Sequence, residues 1–121
     1  MNLFLIRNGM VNNMARRGRV YFQDKFAGII TEDDNGYTFC YDEKYLNDAE
    51  AKVISLTMPL RKEPYHSPGM IPFFDGLIPE GWLLGIAEVN WKTNPQDRMG
   101  LLLKFCNNNI GAVRVTEEKT E

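Results

Sequence analysis

The side chains best suited to chemistry lie in the middle of this 121-residue chain. Asp75 and Glu80 are five residues apart, and two carboxylates at that spacing could serve acid–base or metal chemistry. Their neighbours favour structural roles instead, with Asp75 capping a turn and Glu80 meeting the positive end of a helix dipole. His66 lies in a loop punctuated by proline and glycine, without a carboxylate or second histidine beside it to orient the ring. We therefore predict no catalytic residue.

The other elements of a catalytic or cofactor site are missing from the sequence. Cys40 and Cys106 are too few for a disulfide framework or a zinc site, and we expect both to be buried free thiols. Neither a glycine-rich phosphate loop nor a kinase signature occurs. The sequence thus predicts a protein that is not an enzyme and holds no cofactor or metal.

Composition and charge narrow the class of protein. The chain is 44% hydrophobic and 25% charged, with a net charge of −2, which is typical of one globular domain and unlike a nucleic-acid-binding protein. A basic cluster, Arg16, Arg17 and Arg19, is interpreted as a solvated charge group, and DNA binding through it remains a third hypothesis. The apolar run near Met1 is too short for a signal peptide. We expect a cytoplasmic protein.

Three β-strands are expected near the start of the chain. Residues 20–22, 26–31 and 37–41 are rich in β-branched and aromatic side chains, and polar turns separate them. The second turn ends in Asn35-Gly36, a pair that readily takes the positive φ angles of a hairpin. Alternation places one set of side chains of the third strand on one face, Tyr37, Phe39 and Tyr41, and the others on the opposite face, Thr38 and Cys40.

The middle of the chain is less regular. A polar start at Asp42 suggests a short helical turn with that residue as N-cap. Residues 51–60 are expected to run extended, as a fourth strand or strand-like segment that Pro59 ends, with one apolar face formed by Ile54, Leu56 and Met58. Residues 61–71 are expected to form a loop.

Two helices and a strand complete the predicted fold. One helix covers residues 82–91, with Pro79 and Glu80 in its first turn. The next begins at Asn94 as N-cap, with Pro95 at N1 and Asp97 at N3, and its apolar stripe is Met99, Leu102, Leu103 and Cys106. Residues 110–115 form a closing strand. The order indicates an α+β domain in which a small antiparallel or mixed sheet, the meander plus the last strand, packs against two α-helices.

The stretch from Pro72 to Trp82 fits none of these elements well. It combines three large aromatics, two carboxylates, two glycines and two prolines in the sequence Pro-Phe-Phe-Asp-Gly-Leu-Ile-Pro-Glu-Gly-Trp. Glycine and proline restrict or shape the backbone, while two phenylalanines need to be buried. We interpret this segment, called the docking stretch below, as a rigid element that contacts a partner.

The docking stretch and its flanks resemble one family closely. Together with Leu-Thr-Met-Pro-Leu at 56–60, Asp-Arg-Met-Gly-Leu-Leu at 97–102 and Ile-Gly-Ala-Val-Arg-Val at 110–115, it is similar to the N-terminal subdomain of HipA-type serine/threonine kinase toxins. The resemblance covers residues 18–116. It leaves residues 1–17 as an extension expected to be poorly ordered, and residues 117–121 as a charged tail. Asn107 to Asn109 depart from the family pattern.

The resemblance implies a function and a set of contact residues. In long members this subdomain precedes the kinase core, whereas split modules carry it as a separate HipS-like antitoxin subunit. It implies a non-catalytic partner of a separately encoded HipA-like kinase, which it restrains. The expected partner-binding residues are Asp75, Glu80, Gly81 and Trp82, and the motif is held by Phe73, Phe74, Gly76, Leu77 and Pro79.

Two alternatives stay open at this point. The chain could complete and support a split kinase rather than inhibit it. It could also associate with DNA through a helix-turn-helix partner in the same complex.

Overall fold

The computed structural model describes residues 15–78, 97–106 and 112–118. It contains five strands and three helices in the described residues. The strands are β1 (Arg16–Phe22), β2 (Lys25–Asp33), β3 (Gly36–Tyr41), β4 (Tyr65–Ser67) and β5 (Val113–Glu118). The helices are α1 (Glu43–Leu46), α2 (Pro72–Asp75) and α3 (Arg98–Phe105).

The strands form one antiparallel sheet in the order β4-β3-β2-β1-β5. The predicted meander is confirmed as β1, β2 and β3, and the predicted closing strand pairs with β1. Two of these strands, β1 and β5, extend further than the sequence suggested. β1 begins at Arg16, within the expected extension, and β5 runs on to Glu118, within the expected tail. The architecture is α+β, as predicted.

Tight turns set the register of the meander. Gln23 and Asp24 connect β1 to β2 with φ angles of 49° and 71°, the left-handed pair that matches the twist of a hairpin. In the second turn the positive φ belongs to Gly36, at 125°, and not to Asn35. A Cβ at residue 36 would overlap the backbone of Ser67 and Pro68, so this turn requires glycine.

The two faces of the sheet differ in their side chains. Val20, Ile30, Phe39 and Val115 are fully buried and lie on what we call the helix face, because Leu103 of α3 packs there over Gly18. Alternation along the strands sends another set of side chains to the opposite side, the arginine face: Arg17, Arg19, Tyr21, Phe26 and Arg114.

One strand was predicted in the wrong place. Residues 51–60 form turns and bends, and the edge strand is instead β4, within the expected loop. The hydroxyl of Tyr41 accounts for the difference, because it accepts from Ile54 N at 3.2 Å and donates to Met58 O at 2.6 Å. These bonds allow Ile54 and Met58 to be buried although the segment pairs with no strand in the described part of the chain. Leu56 is 93% exposed and so does not share a buried face with them, contrary to the prediction.

The helix ends show one success and one error. Asp42 caps α1 as predicted, accepting from the backbone of Lys44 and Tyr45. α3 begins later than expected, since Asp97 is its N-cap and not its third residue. Asn94, Pro95 and the predicted helix over residues 82–91 lie outside the described residues.

The cysteines divide between the two faces. Cys106 is buried, as expected, but Cys40 is exposed, because residue 40 alternates with the buried Phe39 and Tyr41. The expectation of two buried thiols was therefore wrong for Cys40. No helix in the described part of the chain is long and apolar enough to cross a membrane.

Candidate docking surface

The described half of the docking stretch, residues 72–78, is a single helical turn followed by tight turns. α2 starts with Pro72 at its first position, where a proline costs no hydrogen bond. Gly76 N, Leu77 N and Ile78 N then donate to the carbonyls of Pro72, Phe74 and Asp75. The sequence did not assign this stretch to a helix, and its first four residues form one.

Phe74 fixes this turn to the sheet. Its side chain is fully buried, and its ring centroid lies 5.4 Å from that of Phe39 on the helix face. Phe73 packs edge-on against Phe74 at 5.2 Å but stays half-buried, as does Leu77. Of the apolar residues expected to hold the motif, Phe74 is wholly in the core, while Phe73 and Leu77 are at its boundary.

Gly76 holds an ordinary conformation. Its φ and ψ are −71° and −13°, in the right-handed helical region, and a Cβ would meet nothing closer than 3.5 Å. Contrary to the expectation from the sequence, this position does not require glycine, since any residue adopts these angles.

Asp75 makes an ion pair within the chain. Its Oδ1 accepts from Nε of Arg98 at 2.6 Å, which joins α2 to the first turn of α3. The carboxylate remains 44% exposed. A second tie lies nearby, where the thiol of Cys106 donates to the carbonyl of Leu77 at 3.3 Å. The stretch is therefore held to both ends of α3.

The start of α3 is also clamped to the sheet. Arg16 donates through Nη1 and Nη2 to the two carboxylate oxygens of Asp97, at 3.0 and 2.6 Å, and through Nε to Glu32 at 2.7 Å. The Tyr37 hydroxyl completes the group by donating to Glu32 at 3.3 Å. Arg16 is thus not the solvated charge that we expected from the sequence.

The carboxylate of Asp97 serves the helix and the arginine at once. It accepts from Gly100 N at 3.1 Å as a cap, and a side chain at residue 100 would overlap it. The hydrogen bonds from Arg16 hold the pKa of Asp97 below its ordinary value, and those with Asp97 and Glu32 raise the pKa of Arg16. Both groups therefore stay charged near neutral pH.

A pocket opens beside Phe73. It has a volume of about 350 Å³ and is lined by part of β4, α2 and the segment before them, including Met58, Arg61 and Tyr65. Its walls are mainly apolar. The pocket extends the surface around the docking stretch toward the sheet edge.

The remaining expected site residues have mixed outcomes. Pro79, Glu80, Gly81 and Trp82 lie outside the described residues, so their contact role stays a prediction. His66 shares a hydrogen bond with the Thr38 hydroxyl at 3.0 Å on the arginine face. Among the described residues, no cluster of histidine, cysteine and carboxylate side chains could hold a metal ion.

Sequence reasoning missed the clamps made by Arg16 and Arg98. The signal was present, because Asp97 and Arg98 are adjacent in one of the motifs and Asp75 is in another. Opposite charges recur throughout the chain, however, and spacing does not tell which of them meet in space. The charged residues Asp75, Asp97 and Arg98 of these motifs therefore have a structural role, since each forms an ion pair within the chain.

Comparison with protein families gives a match over most of the chain. Residues 18–116 match the model of the HipA N-terminal domain. A solved structure described as the N-terminal domain of HipA toxin is similar, with a TM-score of 0.68 and 28% sequence identity. The similarity covers 88% of this chain and 95% of that one.

Two relatives differ in length. An uncharacterized protein of Haemophilus influenzae is 32% identical over 109 residues, covering 90% of this chain and 99% of the relative. Y4mE of Sinorhizobium fredii, whose name describes a kinase, is 28% identical over 103 residues, and the match covers 84% of this chain but only 24% of Y4mE. With the family model matched from β1 to β5, this chain belongs to the HipA N-terminal domain family.

Proposed function

We propose that this chain is a non-catalytic regulatory subunit that binds and restrains a separately encoded HipA-like serine/threonine kinase. The observation that carries the proposal is the family match over residues 18–116. It is supported by the match to Y4mE, in which a region like this one occupies about a quarter of a protein named as a kinase. Such a subunit acts in the cytoplasm, as one component of a toxin–antitoxin module.

The length of one relative supports a separate subunit. The Haemophilus influenzae protein is matched over 99% of its length, so a chain with little beyond this domain occurs in that organism. In Y4mE the same region is joined to a much longer chain. We infer that the domain works either in one chain with a kinase or beside it.

The anchoring of the docking stretch supports its use as a contact surface. The buried Phe74, the Asp75–Arg98 ion pair and the Cys106–Leu77 hydrogen bond fix residues 72–78 on α3 and the sheet. Ile78 is buried as well, so the backbone is held in place up to the residue before Pro79. A contact residue that follows a fixed segment loses less conformational entropy on binding.

We propose that Glu80, Gly81 and Trp82 contact the kinase, with Asp75 at the border of the contact. Tryptophan is among the residues that most often dominate the energy of protein interfaces. Asp75 is half exposed and already neutralised by Arg98, so its contribution is mainly to hold the stretch in place. The proposal thus makes Trp82 the main anchor.

An accessory role in kinase activity is the second candidate. The match to one part of Y4mE favours it, because there a region like this one shares a chain with the rest of a protein named as a kinase. Autophosphorylation of the kinase with and without this chain separates the two. Inhibition supports restraint, and stimulation supports completion. Association with DNA through a helix-turn-helix partner is compatible with both.

The binding test is a pull-down with the HipA-like kinase encoded beside this chain, repeated with Trp82→Ala. We expect the wild type to retain the kinase and Trp82→Ala to lose at least about tenfold in affinity. Trp91→Ala is the matched control, since it removes the same side chain outside the quoted motif. Retention of the kinase by Trp82→Ala would remove that residue from the interface. Failure of the wild type to bind would refute the proposed function.

A further inference from the structure

The arginine face is a second surface, and it lies on the opposite side of the sheet from Phe74. The strand register places Tyr21 of β1 beside Phe26 on β2 and beside Arg114 on β5. Arg19 lies two residues before Tyr21 on β1 and on the same face of the sheet. The arrangement collects basic and aromatic side chains from three strands. Phe26 lies on the neighbouring strand of the hairpin, whereas Arg114 is brought here only by the pairing of β1 with β5.

The aromatic rings hold the guanidinium groups in fixed positions. Arg19 lies over the Phe26 ring at 4.0 Å and donates to the Tyr21 hydroxyl at 3.0 Å. Arg114 lies over the Tyr21 ring at 4.2 Å, and the two rings meet edge-to-face at 5.8 Å. Stacking on a ring orients an arginine and leaves most of its N–H donors available.

The carboxylates on this side satisfy these arginines only loosely. Arg17 and Arg114 lie 3.5 Å from Glu118 and Asp24, and Asp24 is 89% exposed. Among the described residues, no carboxylate forms an ion pair with Arg19. By contrast, Arg16 and Arg98 hold their carboxylates at 2.6 Å. The arginine face thus carries three cations with two weakly held carboxylates.

We propose that the arginine face binds an acidic segment of a partner protein through Arg19 and Arg114, with Arg17 at its border. A guanidinium presents a planar fork that matches a carboxylate, and an arginine already stacked on a ring loses less freedom on binding. The occupant follows from charge complementarity. This surface is separate from the docking stretch, so the inference does not rest on the proposed kinase contact.

The same geometry disfavours a nucleic acid as the occupant. Single-stranded nucleic acids need aromatic rings on which bases stack, and here the arginines cover Tyr21 and Phe26. The chain also has a net charge of −2, which gives little long-range attraction for a polyanion. A short acidic peptide segment can bind through the arginine side chains of this face alone, without attraction from the net charge of the protein.

The test titrates the full chain with an oligoglutamate peptide at low salt and measures affinity by calorimetry. Arginine Nε–Hε signals in NMR spectra report which guanidinium groups respond. We expect Arg19→Gln and Arg114→Gln each to weaken binding about tenfold, because each removes charge-assisted hydrogen bonds. Arg61→Gln is the matched control, since Arg61 also stacks on a ring, that of Tyr65 at 3.8 Å, but beside β4. It should leave affinity within about twofold.

Three outcomes would overturn the inference. One is no binding of oligoglutamate at low salt by a folded wild type. Another is equal affinity in the Arg19→Gln/Arg114→Gln double variant, with its fold verified by circular dichroism. The third is tighter binding of an oligothymidylate of equal length, which would assign the surface to nucleic acid instead.

Discussion

Two arginines near α3, Arg16 and Arg98, hold carboxylates at 2.6 Å, whereas on the arginine face Arg17 and Arg114 lie 3.5 Å from theirs. Near α3, Arg16 and Arg98 join elements that are far apart in the sequence, and Asp97 also caps a helix. On the arginine face, cation–π contacts rather than carboxylates position Arg19 and Arg114. The same residue type thus stabilises the fold in one region and leaves hydrogen-bond donors available in the other.

The largest expected effect concerns burial on the helix face. Phe74→Ala should lower the free energy of unfolding by about 3–5 kcal/mol, because it leaves a cavity against Phe39. Ile29→Ala removes a half-buried side chain on the arginine face, and we expect a loss of about 1 kcal/mol. Urea unfolding measures both.

If Phe74→Ala does not fold, Phe74→Leu provides the same comparison on a smaller scale. It keeps most of the side-chain volume, and a loss of roughly 1–2 kcal/mol is expected. Ile29→Ala removes more of its side chain than Phe74→Leu does, so a loss for Phe74→Leu below that for Ile29→Ala would mean that the helix face is not the more tightly packed one.

A smaller effect is expected at the cap of α3. Asp97→Ala removes the hydrogen bond to Gly100 N and both bonds from Arg16, and should cost about 1–3 kcal/mol. Asp24→Asn is the control on the arginine face, because asparagine tolerates the left-handed φ of residue 24 and the exposed pair with Arg114 contributes about 0–1 kcal/mol. Thermal unfolding of the two variants compares one tight and one loose ion pair.

The pH dependence of stability gives an independent check on Asp97. Its pKa is lowered in the folded state by Arg16, so its stabilising effect is present above the ordinary aspartate pKa of about 3.9 and is lost as pH falls through the folded pKa. The stability difference between wild type and Asp97→Asn should therefore shrink below about pH 4. A difference that stays constant down to acid pH would contradict this assignment.

The smallest expected effect is the coupling between Asp75 and Arg98. Both side chains are about a third or more exposed, so a double-mutant cycle with Asp75→Asn and Arg98→Gln should give at most about 1 kcal/mol. The same cycle on Arg114 and Asp24 should give close to zero. A larger coupling for Arg114 and Asp24 would reverse the comparison.

Local sequence was sufficient for several elements. Alternation predicted the meander and the faces of β3, and the polar start at Asp42 predicted the cap of α1. The motifs identified the family over residues 18–116, which the family match confirms. Local signals succeed here because neighbouring residues pair with one another in hairpins and single turns.

Long-range contacts decided what the sequence left undetermined. The Tyr41 hydroxyl holds residues 54–58 in turns where alternation had suggested a strand, and β4 occupies the sheet edge instead. The Arg16–Asp97 pair joins residues 81 positions apart, and the arginine face draws on β1, β2 and β5. Such contacts depend on the topology of the whole sheet, because it alone determines which of many similar charges and rings come within bonding distance.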